Sequence, residues 1–223
     1  KKLSLELGGK NATIVTDDVD VAWAAGQAVR AGFSNQGQIC LCGSRVYVQR
    51  RIYDAFVREF VAGARALRCG DPLDASTQQG ALVSEAHLQK VLSYAELAKR
   101  EGGRVLCGGE RVPASELPAR CAGGAFMRPT VIEGLGPNCR TQREEIFGPI
   151  VTLTAFEDDD EAVRLANDSE YGLSASVWSG DAARGRRIAE RLEVGTAWVN
   201  CWLLRALRVP FGGMKNSGVG REG

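Results

Sequence analysis

Two rhythms of apolar and polar positions alternate along this chain. Short β-prone apolar runs fall at residues 12–16, 45–49, 104–107, 127–132, 150–156, 174–178 and 196–200. Runs of this length and continuity read as strands buried on both faces. Between them lie stretches with helical spacing. Asp17 or Asp18 can cap a helix whose apolar face is Val21, Ala25, Ala28 and Val29, and Ile52, Phe56, Phe60 and Val61 mark the next. That second helix ends before Gly70-Asp71-Pro72, and residues 84–100, 159–167 and 181–192 give three more. Helix-length spacers between buried strands predict an α/β fold, with a mainly parallel twisted sheet and flanking helices. The glycine- and proline-containing stretch 108–124 reads as a surface excursion. There is no internal repeat and no low-complexity segment.

Composition narrows the function classes. The chain has 223 residues, enough for one large domain or two small ones, with 44% hydrophobic and 25% charged residues. Its 28 basic and 27 acidic residues leave a net charge of +1, which gives no footprint for nucleic acid or an anionic membrane. The basic cluster Arg184, Arg186, Arg187 and Arg191 is interleaved with Glu190 and Glu193 at helical spacing, as on a solvated helix face. No apolar run approaches the roughly 20 residues of a membrane span. Seven scattered cysteines without a CxxC pair, and a single histidine, argue against zinc and for reduced thiols in a cytosol-like, cytoplasmic setting.

Two segments near the start carry candidate chemistry. Glu-Leu-Gly-Gly-Lys at positions 6–10 sets a carboxylate beside a glycine turn, and Phe-Ser-Asn-Gln-Gly-Gln-Ile-Cys at 33–40 sets a thiol among amides and glycines. Cys40 is either a nucleophile or a small buried residue. Gly37 permits close backbone approach, and the Cys40 N–H can serve an oxyanion formed by attack of its own sulfur. The one histidine, His87, lies on the amphipathic helix with Leu88, Val91 and Leu92, so a papain-like pair is poorly supplied.

These two segments, with Glu-Glu-Ile-Phe-Gly-Pro at 144–149 and Pro-Phe-Gly-Gly-Met-Lys-Asn-Ser-Gly at 210–218, resemble four ordered motifs of the NAD(P)-dependent aldehyde dehydrogenase superfamily. The resemblance spans essentially the whole chain and implies an aldehyde dehydrogenase catalytic domain. By it, Cys40 attacks an aldehyde and carries a thiohemiacetal, then a thioester, and Glu6 activates the hydrolytic water. Glu145 and Phe147 match positions that hold the nicotinamide ribose and contact its ring, and Glu222 matches a carboxylate sometimes placed in a proton path. Trp202, Arg205 and Phe211 fall at the substrate entrance. The Trp-Leu-Leu-Arg run at 202–205 and Leu41-Cys42 are similar to the branch that oxidises muconic semialdehydes in tryptophan degradation, where Arg205 can clamp a distal carboxylate. Betaine aldehyde and retinal are the other substrate classes considered. A cysteine hydrolase and an inert scaffold fragment are the competing functions.

The implied cofactor is NAD, the substrate a small-molecule aldehyde, and the assembly a homo-oligomer, dimer or tetramer, with no metal, nucleic acid or membrane partner. Opening on Lys1-Lys2 and stopping at Gly223 in a glycine-rich run, the chain reads as a piece of a longer protein with its N-terminal dinucleotide-binding domain absent. Residues 1–5 are then the last strand entering from that domain, 6–216 the catalytic domain, and 217–223 the start of a segment leading to an oligomerisation strand. Alone, such a piece is expected to bind NAD weakly and turn over little. Gly218-Val219-Gly220-Arg221-Glu222-Gly223 spells G-x-G-x-x-G, but lacks the strand before and helix after that a dinucleotide fingerprint needs.

Overall fold

The computed structural model describes residues 1–222; the last residue of the G-x-G-x-x-G run, Gly223, lies outside them. In chain order the strands are β1 (Leu5–Glu6), β2 (Ala12–Val15), β3 (Arg45–Gln49), β4 (Arg104–Cys107), β5 (Thr130–Glu133), β6 (Ile150–Phe156), β7 (Tyr171–Gly172), β8 (Ser174–Trp178), β9 (Thr196–Val199), β10 (Met214–Lys215) and β11 (Gly218–Val219). The helices are α1 (Val21–Phe33), α2 (Tyr53–Ala66), α3 (Glu85–Arg100), α4 (Arg140–Arg143), α5 (Asp159–Asn167) and α6 (Ala182–Ala189).

Seven strands form one sheet in the order β4-β5-β6-β3-β2-β8-β9, parallel throughout except for the β4–β5 pair. The parallel sheet expected from the sequence is therefore present, and its two-residue side-chain period sorts the helices. Val46, Val48, Val131, Val151 and Leu153 point to the face covered by α1 and α2, where Phe33, Phe56 and Phe60 pack. Phe56 and Phe60 stack with ring centroids 5.7 Å apart. On the opposite face, Ile132 and Ile150 meet α3, while Ile14, Tyr47 and Val177 meet α5 and α6. The 108–124 excursion has a small core of its own, Val112 and Leu117 on Phe126.

The edges of most elements match the apolar pattern, with three differences. The strand expected at residues 1–5 is confined to Leu5–Glu6, which pairs antiparallel with β11. The cap of α1 is Asp20, whose side chain accepts from the Trp23 N–H, and neither Asp17 nor Asp18 caps it. Those two carboxylates are committed elsewhere, at the carboxyl ends of the strands. Asp18 accepts from Thr16 Oγ1, from Ser179 Oγ at 3.1 Å and from the Asp181 N–H at 2.9 Å. Asp17 pairs with Arg184 at 3.0 Å, and Arg184 also grips Asp159. Arg184 is thus turned into an ion network and is not part of a solvated face.

The Asp18 site makes stability sensitive to acid. Burial alone would raise its carboxyl, but the Thr16, Asp181, Gly180 and Ser179 hydrogen bonds outweigh that and hold it down at about 2. A depressed folded value gives stability that is complete above the unfolded carboxyl range and is lost as pH falls toward 2. Asp18→Ala is expected to cost about 1–3 kcal/mol at pH 7. In urea unfolding the difference from wild type should shrink steadily between pH 4 and pH 2.

Candidate active site

Strand order brings the sequence-predicted residues to one end of the sheet. Residues 9–11 lead into β2, 40–44 into β3, 145–149 into β6 and 171–173 into β8, and the parallel register sets Ala12 beside both Arg45 and Ala175. The amino ends of four adjacent strands thus share one rim, and Cys40, Glu6, Glu145 and Phe147 gather there.

Cys40 follows a strained turn. Asn35, Gln36 and Gly37 take φ of 49°, 56° and 69°, three left-handed residues in succession. Gly37 is required, because a Cβ there would lie 2.2 Å from the Gly148 carbonyl oxygen. The loop is anchored from below by Asn11, whose amide donates to the carbonyls of Cys40 at 2.6 Å and Cys42 at 2.9 Å. Trp202 holds it from another side, its indole N–H donating to the Leu41 carbonyl at 2.9 Å.

Glu6 reaches Cys40 through a pairing of two-residue strands. β1 pairs with β11, and the Leu7 N–H extends the contact to the Ser217 carbonyl at 2.9 Å. This sets Glu6 Oε2 3.8 Å from Cys40 Sγ, which donates to it. Burial raises the Cys40 thiol, and the charge and hydrogen bond of Glu6 raise it further. The resting sulfur is accordingly a thiol with a carboxylate in position to take its proton. Cys42, two residues on, is pushed up to about 12, chiefly by burial. That makes it a poor competitor as nucleophile.

Glu145 is half-buried, and its Oε1 accepts the Gly9 N–H at 2.9 Å. A Cβ at Gly8 would sit 2.2 Å from Glu145 Oε2, so that glycine leaves the carboxylate its space. Burial raises the Glu145 carboxyl, opposed by the Gly9 N–H and the Lys10 charge. Lys10 is 2% exposed and lowered to about 7, first by burial and then by Arg45. Phe147 stays 38% exposed on a backbone with φ of 61°.

The remaining predicted residues form a second group. Arg205 lies over the Phe211 ring, 3.9 Å from its centroid, at a cleft of about 460 Å³ that also takes in Trp198, Leu204 and Val209. Arg205 has no ion pair among the described residues. Phe211 is buried and exchanges both backbone hydrogen bonds with Glu222, whose carboxylate faces Ser4. Trp202 is buried, 8% exposed, and its polar atom is taken by the Leu41 carbonyl in the Cys40 loop. Sequence reasoning gave Asn11 and Lys10 no role of their own, and read His87 only as a helix-face residue that poorly supplies a partner for Cys40. A buried polar residue at the head of an apolar strand was the available signal for Asn11.

Among the described residues no cluster of His, Cys, Asp and Glu could hold a metal ion, and no helix is long and apolar enough to cross a membrane. Residues 1–223 match the aldehyde dehydrogenase family, and the chain belongs to it. It is 50% identical to the 2-aminomuconic semialdehyde dehydrogenase of Bos taurus, over 100% of this chain and 46% of that protein. It is 47% identical to the 2-aminomuconic 6-semialdehyde dehydrogenase of a Pseudomonas species, over 100% of this chain and 45% of that protein. A crystal structure of betaine aldehyde dehydrogenase from Staphylococcus aureus in complex with NAD+ superposes with TM-score 0.94 at 40% identity, covering 98% of this chain and 43% of that one. The chain thus spans about half the length of the curated relatives it matches.

The Cys40–Glu6 contact yields a test with a counterintuitive sign. Removing a negative neighbour lowers a thiol, so Glu6→Gln should shift the pH profile of Cys40 alkylation by iodoacetamide to lower pH. At pH 8 the rate should rise severalfold, read by mass spectrometry of the peptide containing Cys40.

Proposed function

We propose that this chain is the catalytic portion of an enzyme that oxidises an aldehyde to the carboxylic acid with NAD. The observation that carries the reading is the 3.8 Å contact between Cys40 Sγ and Glu6 Oε2 on a chain of this family. Cys40 sulfur bonds to the aldehyde carbon as its proton leaves toward Glu6, and the carbonyl electrons become an oxyanion that the Cys40 N–H can meet. Bound NAD supplies one thing, an acceptor for the hydride lost as the thiohemiacetal becomes a thioester. Glu6 passes that first proton to solvent and then takes one from water; attack of the hydroxide breaks the carbon–sulfur bond and frees the acid, and the proton held by Glu6 returns to the Cys40 sulfur.

The residues present fit that cofactor. Glu145 Oε2 has no protein partner among the described residues, while Oε1 is held by Gly9, so one carboxylate oxygen is free for a ribose hydroxyl. The exposed Phe147 ring offers an apolar contact for a nicotinamide. Leu3, Leu5, Leu7 and Val219 are exposed beside Glu6, which supports a dinucleotide-binding portion packing there, with residues 6–216 as the catalytic domain. Glu222, its carboxylate facing Ser4 just beyond the β1–β11 pair, is suited to a proton path.

The substrate we propose is 2-aminomuconic semialdehyde or a related semialdehyde acid. Two muconic semialdehyde dehydrogenases among the relatives support it, as does the Arg205 guanidinium, stacked on Phe211 and without an ion pair among the described residues. Betaine aldehyde is the second reading, favoured by the structural likeness. Its fixed positive charge is opposed by Arg205. The exposed edge strand β9 and the apolar cleft beside it support a homo-oligomer in the whole protein, and seven free cysteines support a reducing, cytoplasmic compartment.

Two experiments on the full-length enzyme test this. Cys40→Ala should abolish NADH formation, whereas Glu6→Gln should leave a burst of at most one NADH per site with steady turnover lost. Arg205→Ala should raise KM for a semialdehyde acid about 10- to 100-fold, as expected for a charge-assisted pair. The KM for a neutral aldehyde of similar size should stay unchanged, and equal effects on both would remove the clamp.

A further inference from the structure

His87 stands in the first turn of α3, whose cap is Ser84. It does not serve Cys40; its Nε2 lies 2.6 Å from the Phe147 carbonyl oxygen, and its ring meets the Phe147 ring edge-on, with centroids 6.4 Å apart. A carbonyl only accepts, so Nε2 carries the hydrogen in this contact. The carbonyl belongs to a bulky residue held at φ of 61°, a conformation that costs an aromatic side chain about 1–2 kcal/mol.

The turn carrying Phe147 is gripped from both sides. Val91, one helical turn beyond His87, closes on Gly148, where a Cβ would lie 2.6 Å from the valine methyls. From the other side the nucleophile loop leans on Gly148 through Gly37. Ile146, between Glu145 and Phe147, is buried against the α3 side of the core. The direction of the Glu145 carboxylate and of the Phe147 ring therefore depends on how the helix holds this turn.

We propose that His87 is a positioning residue for the cofactor: by donating to the Phe147 carbonyl it fixes the left-handed turn that presents Phe147 and Glu145 to the nicotinamide riboside. The inference rests on the reading above that these two residues receive NAD. His87 is half-buried at a helix start, and its truncation removes the donor without opening the core. Glutamine can place an amide N–H near the position of the imidazole Nε2–H, and alanine cannot.

The test compares His87→Ala and His87→Gln in the full-length enzyme. In His87→Ala, NAD titrated by calorimetry should bind about 3- to 10-fold more weakly, the worth of one hydrogen bond. Amide exchange at residues 147–150 in the cofactor-free protein should quicken, with the thermal midpoint little changed. His87→Gln should recover both readouts. Unchanged NAD affinity and exchange in folded His87→Ala, or a glutamine variant no better than alanine, would overturn the proposal. A wild-type enzyme that binds no NAD would overturn the cofactor reading instead, and quickened exchange in His87→Ala would then still support the clamp on the turn.

Discussion

Both hydrogens of the Asn11 amide go to the Cys40 loop, to the carbonyls of Cys40 and Cys42, and its oxygen takes the Ser174 N–H at 3.1 Å. Carbonyls accept and an amide N–H donates, so these three partners admit only one orientation of the side chain. Asn11 is 4% exposed, where each bond left unmade would cost about 1–3 kcal/mol. One residue at the head of β2 therefore ties the segment entering β3 to the first residue of β8. The position of Cys40 is inherited from the sheet and not from the loop itself. That matters because the loop is locally unfavourable: Asn35 and Gln36 both sit at positive φ, and a free loop of that sequence would leave the left-handed region.

The parts of the fold legible from sequence are those decided by neighbours in the chain. Ile150–Phe156, Ser174–Trp178 and Asp159–Asn167 appear with the bounds their apolar spacing and caps imply. The cap of α1 was not legible, because Asp17, Asp18 and Asp20 are equivalent locally. The choice falls to Asp20 once Ser179 and the Asp181 N–H, more than 160 positions away, have claimed Asp18. The site divides in the same way. Cys40 and Glu6 announce themselves by residue type beside glycine turns. Their meeting depends on two strands of two residues each at opposite ends of the chain, a pairing that no local rule carries. His87 read as a helix-face residue for the same reason: what it does is defined by Phe147, 60 positions on.

The loop after β9 shows how one short segment serves two ends. Trp202 turns inward, its ring in the main core and its N–H on Leu41, while Arg205, three residues on, remains exposed over Phe211. Asn200 and Leu203 take φ of 55° and 60°, flanking the tryptophan on both sides. The backbone reversals let one anchor be buried while the following arginine is left facing solvent. A guanidinium on an aromatic face keeps its N–H edges free. The segment couples Arg205 to the loop bearing Cys40 through one indole.

Open parallel sheets usually place ligands at the carboxyl ends of their strands, where successive loops diverge. Here that end is closed by the network of Thr16, Asp17, Asp18, Asp159, Ser179 and Arg184, whose polar atoms are already matched to one another. The amino rim differs in kind. It carries the left-handed residues Asn35, Gln36 and Phe147, the glycines whose Cβ positions are occupied by neighbours, and the half-buried Glu145, one of whose oxygens has no partner among the described residues. Strain of this sort persists only where surrounding structure over-determines it, and the helices α1 and α3 supply that support through Phe33 and His87. The division of labour follows from chemistry. A network of satisfied charges stabilises but has nothing left to offer a ligand, so reactive groups must gather where the backbone is held by packing and individual side-chain atoms are left unclaimed.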